Sequence, residues 1–176
     1  AASDVYKRQL LDTHYYGGVK KYQWVTIPLA LHGVVSKKDG ENVTVVIGED
    51  EQDPVLGISD LLIHLSQKQL QKTASEVVEG EKLDMLVGSI PLEGEEEEPV
   101  KAQILAILRD KYGIEEEDFL SAEFEVVPAG KARDYGLDRS MIMGYGQDDR
   151  VCSYPSFAAI MKQKQVTYTS VCLLVD

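Results

Sequence analysis

The chain has 176 residues, 44% of them hydrophobic and 27% charged, the composition of an ordinary globular protein with room for one domain or for one small domain plus part of another. Its formal net charge of -12, with no basic patch or stripe, argues against nucleic acid and anionic membrane as partners. No apolar run approaches the ~18 residues of a membrane-spanning helix, and the amino terminus lacks the basic-then-apolar pattern of a signal peptide, so the expected location is cytoplasmic.

Residues 1–9, AASDVYKRQ, show no apolar period and do not match the texture that follows; they are expected to be non-native or disordered. From Tyr22 to Val35, Val25, Ile27, Leu29 and Leu31 alternate with Trp24, Thr26, Pro28 and Ala30, which predicts a strand. Because Pro28 cannot donate to a ladder, that strand is expected at an edge or with a bulge. Lys37-Lys38-Asp39-Gly40 is a turn signal, and Asn42 to Gly48 is the return strand, with Val43, Val45 and Ile47 on one face. Ser59 is placed to cap a helix running to about Lys72, with Leu61, Leu62, Leu65 and Leu70 as its apolar side.

A further strand is predicted at Asp84 to Ser89. The acidic run Glu93 to Glu98, interrupted by Gly94, reads as a solvated loop. The helix Val100 to Tyr112 buries Ile104, Leu105 and Leu108 and stops at Gly113, and Glu123 to Val127 is a strand ending at Pro128. Residues 129–150, rich in Gly, Asp and Arg, suit a functional loop or a domain crossing. A helix is then expected to start near Ser153 and Pro155 and to carry Phe157, Ala158, Ile160 and Met161. Val171 to Val175 reads as a strand buried on both faces, which implies more chain to cover it. Cys152 and Cys172 have no CxxC spacing and are read as small buried core residues.

The segment Gly144-Tyr145-Gly146-Gln147-Asp148-Asp149-Arg150 is the strongest chemical candidate. Adjacent carboxylates followed by arginine make either a salt-bridged loop or a place where one carboxylate reaches metal, since hydrolytic di-zinc centres use such a bridge. One carboxylate does not make a site, and no HxH, HExxH or HxD pattern occurs. His64 borders a predicted apolar helix face. His14 and His32 read as structural or surface residues, and Tyr15, Tyr16, Tyr22 and Trp24 as core or interface aromatics.

Three runs taken in order carry a resemblance. They are Thr13-His14-Tyr15-Tyr16-Gly17-Gly18 with Tyr22-Gln23-Trp24 and Pro28 to Gly33; Ile58 to Leu65; and Val127 to Asp134 with Asp138-Arg139-Ser140 and Gly146 to Cys152. From about Leu10 to Asp176 the chain resembles bacterial members of the aspartyl aminopeptidase (aminopeptidase I) family. The resemblance implies an α/β zinc-peptidase domain holding two zinc ions, with cobalt or manganese as substitutes, and interrupted by an inserted mixed β/α domain that mediates subunit contacts. It implies that residues 10–130 are that inserted interaction or dimerisation domain and 131–176 the first part of a truncated catalytic α/β domain. Asp148 then corresponds to the zinc-bridging aspartate, and Asp149 to its non-ligating neighbour, joined to it by a cis peptide. His64 corresponds to a histidine that contacts substrate in a neighbouring subunit, where a donor near the developing oxyanion stabilises the transition state.

The activity implied is removal of an N-terminal residue, acidic by the family's name, from peptides by a metal-bound hydroxide. The assembly implied is a large homo-oligomer, often dodecameric. The family's first zinc-binding histidine and its neighbouring aspartate belong upstream of Leu10, and the glutamates and later ligands belong beyond Asp176, so this chain by itself is expected to be inactive. Two other readings stand beside this one: a non-catalytic oligomerisation module, and a related di-zinc aminopeptidase with a similar Asp-Asp pair.

Overall fold

A computed structural model describes residues 8–175. Contacts divide the chain into two compact units at Gly130/Lys131. Most of residues 1–9, and Asp176, lie outside the described residues. Gln9, however, already opens a strand, one residue ahead of the expected boundary at Leu10.

The first unit is built on a three-stranded antiparallel sheet in the order β3-β2-β5, formed by β2 (Leu29–Ser36), β3 (Asn42–Ile47) and β5 (Ala122–Pro128). The hairpin joining β2 to β3 is the one its turn residues predict: Gly40 sits at φ 89°, and its N–H donates to the Lys37 carbonyl at 2.9 Å. Alternation then sorts the faces. Leu29, Leu31 and Val35 of β2 and Val45 of β3 are buried, while Val34 and Val46 are exposed.

The expected long strand from Tyr22 is not formed. Thr26 takes φ 61°, a left-handed conformation that breaks an extended run, and residues 21–23 make a 3-10 turn. Pro28 therefore stands just outside the ladder, its carbonyl accepting from Ala129 N–H at 3.0 Å. The strand beginning at Leu29 is central rather than an edge.

A second, two-stranded antiparallel sheet pairs β1 (Gln9–Leu11) with β4 (Met85–Gly88). The segment 56–58 ties the sheets together, bridging Leu29 through Leu56 and Leu86 through Gly57. Between them lies a core of Leu29, Leu31, Ile58, Val78, Leu83 and Met85, against which Trp24 and Phe124 pack. Helix α1 (Pro99–Tyr112) has proline in its first turn and ends on Gly113 at φ 64°. It approaches β4 closely because Gly88 has no side chain: a Cβ there would lie 2.5 Å from Ile104 Cδ1. The acidic run before α1 is exposed, as expected, with the Glu95 carboxylate accepting from the N–H groups of Glu96 and Glu97.

No helix forms over 59–72; only a 3-10 turn, Gln69–Gln71, appears there. Local side chains satisfy the backbone instead. Asp60 accepts from Leu61 N–H at 2.7 Å and from Gln69 Nε2 at 3.0 Å, and the Ser66 hydroxyl donates to the Ile63 carbonyl at 2.9 Å. Leu61, Leu62, Leu65 and Leu70 are consequently exposed.

The second unit contains the hairpin β6 (Arg133–Tyr135) and β7 (Met141–Met143), then helix α2 (Gln147–Met161). The helix starts six residues before Ser153, so Pro155 lies inside it rather than at its start. The Ser156 hydroxyl bonds back to the Cys152 carbonyl at 3.0 Å. Val171 to Val175 is not a strand and is largely exposed, because no described neighbour offers it a ladder. The cysteines depart from expectation in the same region: Cys152 is exposed on α2 and Cys172 is half-buried. Among the described residues no helix is long and apolar enough to cross a membrane.

Candidate functional site

The chemistry-bearing segment of the second unit is a hairpin, a glycine turn and a helix start. Within the hairpin, Arg139 pairs with Asp134 at 3.6 Å. The Ser140 N–H and hydroxyl both donate to Asp138, at 3.2 and 3.0 Å, and hold its carboxyl below the usual carboxylate range. After β7 the chain turns at Gly146, which caps α2 from the left-handed region at φ 74°. Two side chains fasten this junction. Gln147 Nε2 donates to the Ile142 carbonyl at 3.2 Å, and Arg150 Nη1 donates to the Tyr145 carbonyl at 3.1 Å. Arg150 thus serves the loop rather than an adjacent carboxylate.

Asp148 and Asp149 occupy the first turn of α2, where the exposed N–H groups and the helix dipole favour negative charge. Both are exposed. The peptide joining them is trans, as are all peptide bonds among the described residues, and the expected cis linkage is absent. A continuous first helical turn accounts for this, since its backbone geometry is built from trans units. Asp148 is therefore an exposed residue at a loop-to-helix junction that its neighbours' hydrogen bonds fasten.

His64 belongs to the first unit. It sits in the turn 63–65, exposed, amid Leu61, Leu62, Ile63 and Leu65, which are 57–69% exposed. His14 stacks on Tyr15 with ring centroids 5.7 Å apart, and Lys21 Nζ lies 5.8 Å from the centre of the Tyr15 ring. His32 Nε2 is 2.8 Å from Glu49 Oε1. His14 and His32 thus make local structural contacts, as the sequence indicates. Among the described residues no three His, Cys, Asp or Glu side chains gather to hold a metal. The clamp residues Gln147 and Arg150 gain their meaning only from the fold; the sequence offers the glycine pair around Tyr145 as the one hint that a tight turn needs fastening.

A family model described as aminopeptidase I zinc metalloprotease (M18) matches residues 1–176. The chain belongs to the M18 aminopeptidase I family. It is 62% identical over 168 residues to a probable M18 family aminopeptidase 1 of Clostridium acetobutylicum, covering 95% of this chain and 36% of that protein. Among solved structures it is similar to an M18 family aminopeptidase from Thermotoga maritima, with a TM-score of 0.82 at 50% identity over 89% of this chain and 34% of that one. It is likewise similar to aminopeptidase I from Clostridium acetobutylicum, with a TM-score of 0.79 at 63% identity over 88% of this chain and 34% of the other. The M18 chain thus spans about a third of the length of these relatives, and its mixed α/β architecture is theirs.

Proposed function

We propose that this chain is a segment of a zinc-dependent metalloaminopeptidase that hydrolyses the N-terminal residue, acidic by preference, from peptides. The match to the M18 zinc metalloprotease family across residues 1–176 carries this reading. Within it, residues 10–130 serve as the inserted interaction domain and residues 131–176 as part of the catalytic α/β domain. Asp148 is the carboxylate that bridges two zinc ions, and Asp149 is its non-ligating neighbour. The fastened helix start supports the assignment of Asp148, because a ligand needs a fixed carboxylate. A four-coordinate zinc takes further His, Asp, Glu or Cys donors, and the described residues do not assemble them around Asp148.

His64 is proposed to contact substrate in a neighbouring subunit of a homo-oligomer. Its place among exposed leucines and Ile63 supports that role, since a contiguous apolar surface favours protein contact. The same surface suits the second reading, an interaction module without catalysis.

One experiment separates the two readings. The 176-residue chain and the whole protein containing it are each supplied with zinc or cobalt and assayed on N-terminal aspartyl, glutamyl and leucyl peptides. Turnover by the whole protein alone, abolished with loss of bound metal in Asp148→Asn, is the expected result. Robust turnover by the isolated chain would overturn the assignment of this segment, and an inactive whole protein would favour the interaction module.

A further inference from the structure

Asp12 and Asp84 stand one step beyond the last pair of the β1–β4 ladder, Leu11 and Met85. Continuing the antiparallel register sets these two acids opposite each other, where like charges destabilise a strand pair. The register brings the two carboxyl groups close enough to act on one another. Two ionised carboxylates are acceptors only, so a hydrogen bond between them forms only when one of them carries a proton. The environments decide which one does. Asp12 is exposed, whereas Asp84 is half-buried, with Oδ1 out of contact with water and without a hydrogen-bond partner.

Burial first, then the Asp12 charge and the bond to Asp12, push the Asp84 carboxyl above its ordinary value, against an opposing hydrogen bond from the Thr13 backbone. The cations of adjoining elements are engaged elsewhere. Lys82 pairs with Glu79, and Lys101 of α1 pairs with Glu98 and Glu116. Glu81, beside Lys82 in the neighbouring 3-10 turn, and Arg8, ahead of β1, are exposed, and neither moves the Asp84 carboxyl.

We propose that the Asp12–Asp84 carboxyl pair is a pH-sensitive latch that fastens β1 to β4 when it shares a proton and loosens that pairing when both acids are ionised. A group whose carboxyl is raised on folding contributes stability that is fully present below the unfolded value, about 3.9. That contribution is lost as pH rises through the folded value, the reverse of an ordinary salt-bridged aspartate. The three-residue strand β1 has few other ladder bonds to hold it, and the neighbouring tie from Thr13 Oγ1 to the Leu83 carbonyl is insensitive to pH.

The test is amide hydrogen exchange on the full 176-residue chain between about pH 4 and pH 8, corrected for the intrinsic rate. Protection of residues 9–11 is expected to fall relative to that of β2 and β3, tenfold for each unit by which the folded carboxyl exceeds the unfolded one. The fall should vanish in Asp84→Asn, whose amide donates to Asp12 at every pH, and shrink in Asp12→Asn, which removes the opposing charge but leaves Asp84 desolvated. A flat wild-type profile, a slope that survives Asp84→Asn, or a slope undiminished in Asp12→Asn overturns the proposal. Protection of the β2–β3 amides verifies that each variant folds. Should one fail that check, carboxyl titration of the wild type by NMR decides, and an ordinary midpoint for Asp84 refutes the latch.

Discussion

Gly33 lies in the middle of the central strand β2, opposite Val45 on one side and Phe124 on the other. Adding a single methyl group in Gly33→Ala places a Cβ 2.3 Å from the Glu123 carbonyl oxygen and 2.4 Å from Phe124 Cδ1. Relief requires a movement of about 1 Å to reach ordinary contact distance. The oxygen belongs to the neighbouring strand's backbone, and the Phe124 ring is wedged against both core clusters and lies 5.8 Å from the Phe119 ring. Overpacking of this kind costs about 1–3 kcal/mol, partly offset by ~0.5 kcal/mol from the stiffer unfolded chain. With a urea slope of about 1–3 kcal/mol/M, the midpoint should fall by about 1 M.

The matched control is Gly57→Ala, where the nearest atom, the Ile27 carbonyl oxygen, is 3.6 Å from the added carbon. That change should be neutral or stabilise by up to about 1 kcal/mol. Trp24, the single tryptophan, packs on the first unit's core, so its fluorescence follows that unit's unfolding. Equal midpoints for the two alanine variants would refute the claim that the β2–β5 approach depends on a bare Cα at Gly33.

Met85 is fully buried between the two sheets, so Met85→Ala should cost about 2–5 kcal/mol in the same urea assay. Leu120→Ala, at a residue 94% exposed, should change stability by less than about 0.5 kcal/mol. In the whole protein, His64→Ala should lower kcat by about 10²–10³-fold if its imidazole donates to the transition state. Metal content by elemental analysis should not change, and an unaltered rate removes His64 from the chemistry. Asp138 titrates in the direction opposite to Asp84. Its carboxyl is held low, so its support of the β6–β7 turn is present above about pH 4 and lost as pH falls. Ser140 amide protection should drop on acidification in the wild type and be insensitive to pH in Asp138→Asn.

What could be read from residue order follows how local each determinant is. The turn of the β2–β3 hairpin is specified by Gly40 and by alternating valines, and α1 by Pro99, its apolar stripe and Gly113; the strand ends at that turn and both ends of α1 appear within a residue of expectation, while β2 begins at Leu29 rather than Tyr22. The failed readings are those in which a local pattern met a competing partner. The leucines after Ser59 have helical spacing, yet the Asp60 carboxylate and the Ser66 hydroxyl satisfy the backbone groups a helix would use. Thr26 at φ 61° ends an alternation that otherwise reads as one long strand, and its N–H is fixed by the distant Ile58 carbonyl at 2.9 Å. The Asp12–Asp84 pair was equally hidden, because 72 positions separate its members and only the β1–β4 register joins them.

The second unit shows the same rule at the candidate site. Asp148 was legible as a residue type in a glycine-flanked run, but the junction that carries it is fastened by bonds that no spacing rule encodes: Gln147 to Ile142 and Arg150 to Tyr145. These bonds reach back five residues across a left-handed glycine, so they act on the junction rather than on the helix body. Arg150 beside two aspartates invites reading as their counter-ion. Its guanidinium instead bonds the Tyr145 carbonyl, and both aspartates are exposed in the first turn of the helix. A carboxylate meant for a cation needs that availability, since one already paired with arginine would have to break the pair before binding metal. The clamp at the start of α2 thus also keeps Arg150, two residues along the chain from Asp148, occupied, a coupling visible only once the helix is seen to start at Gln147.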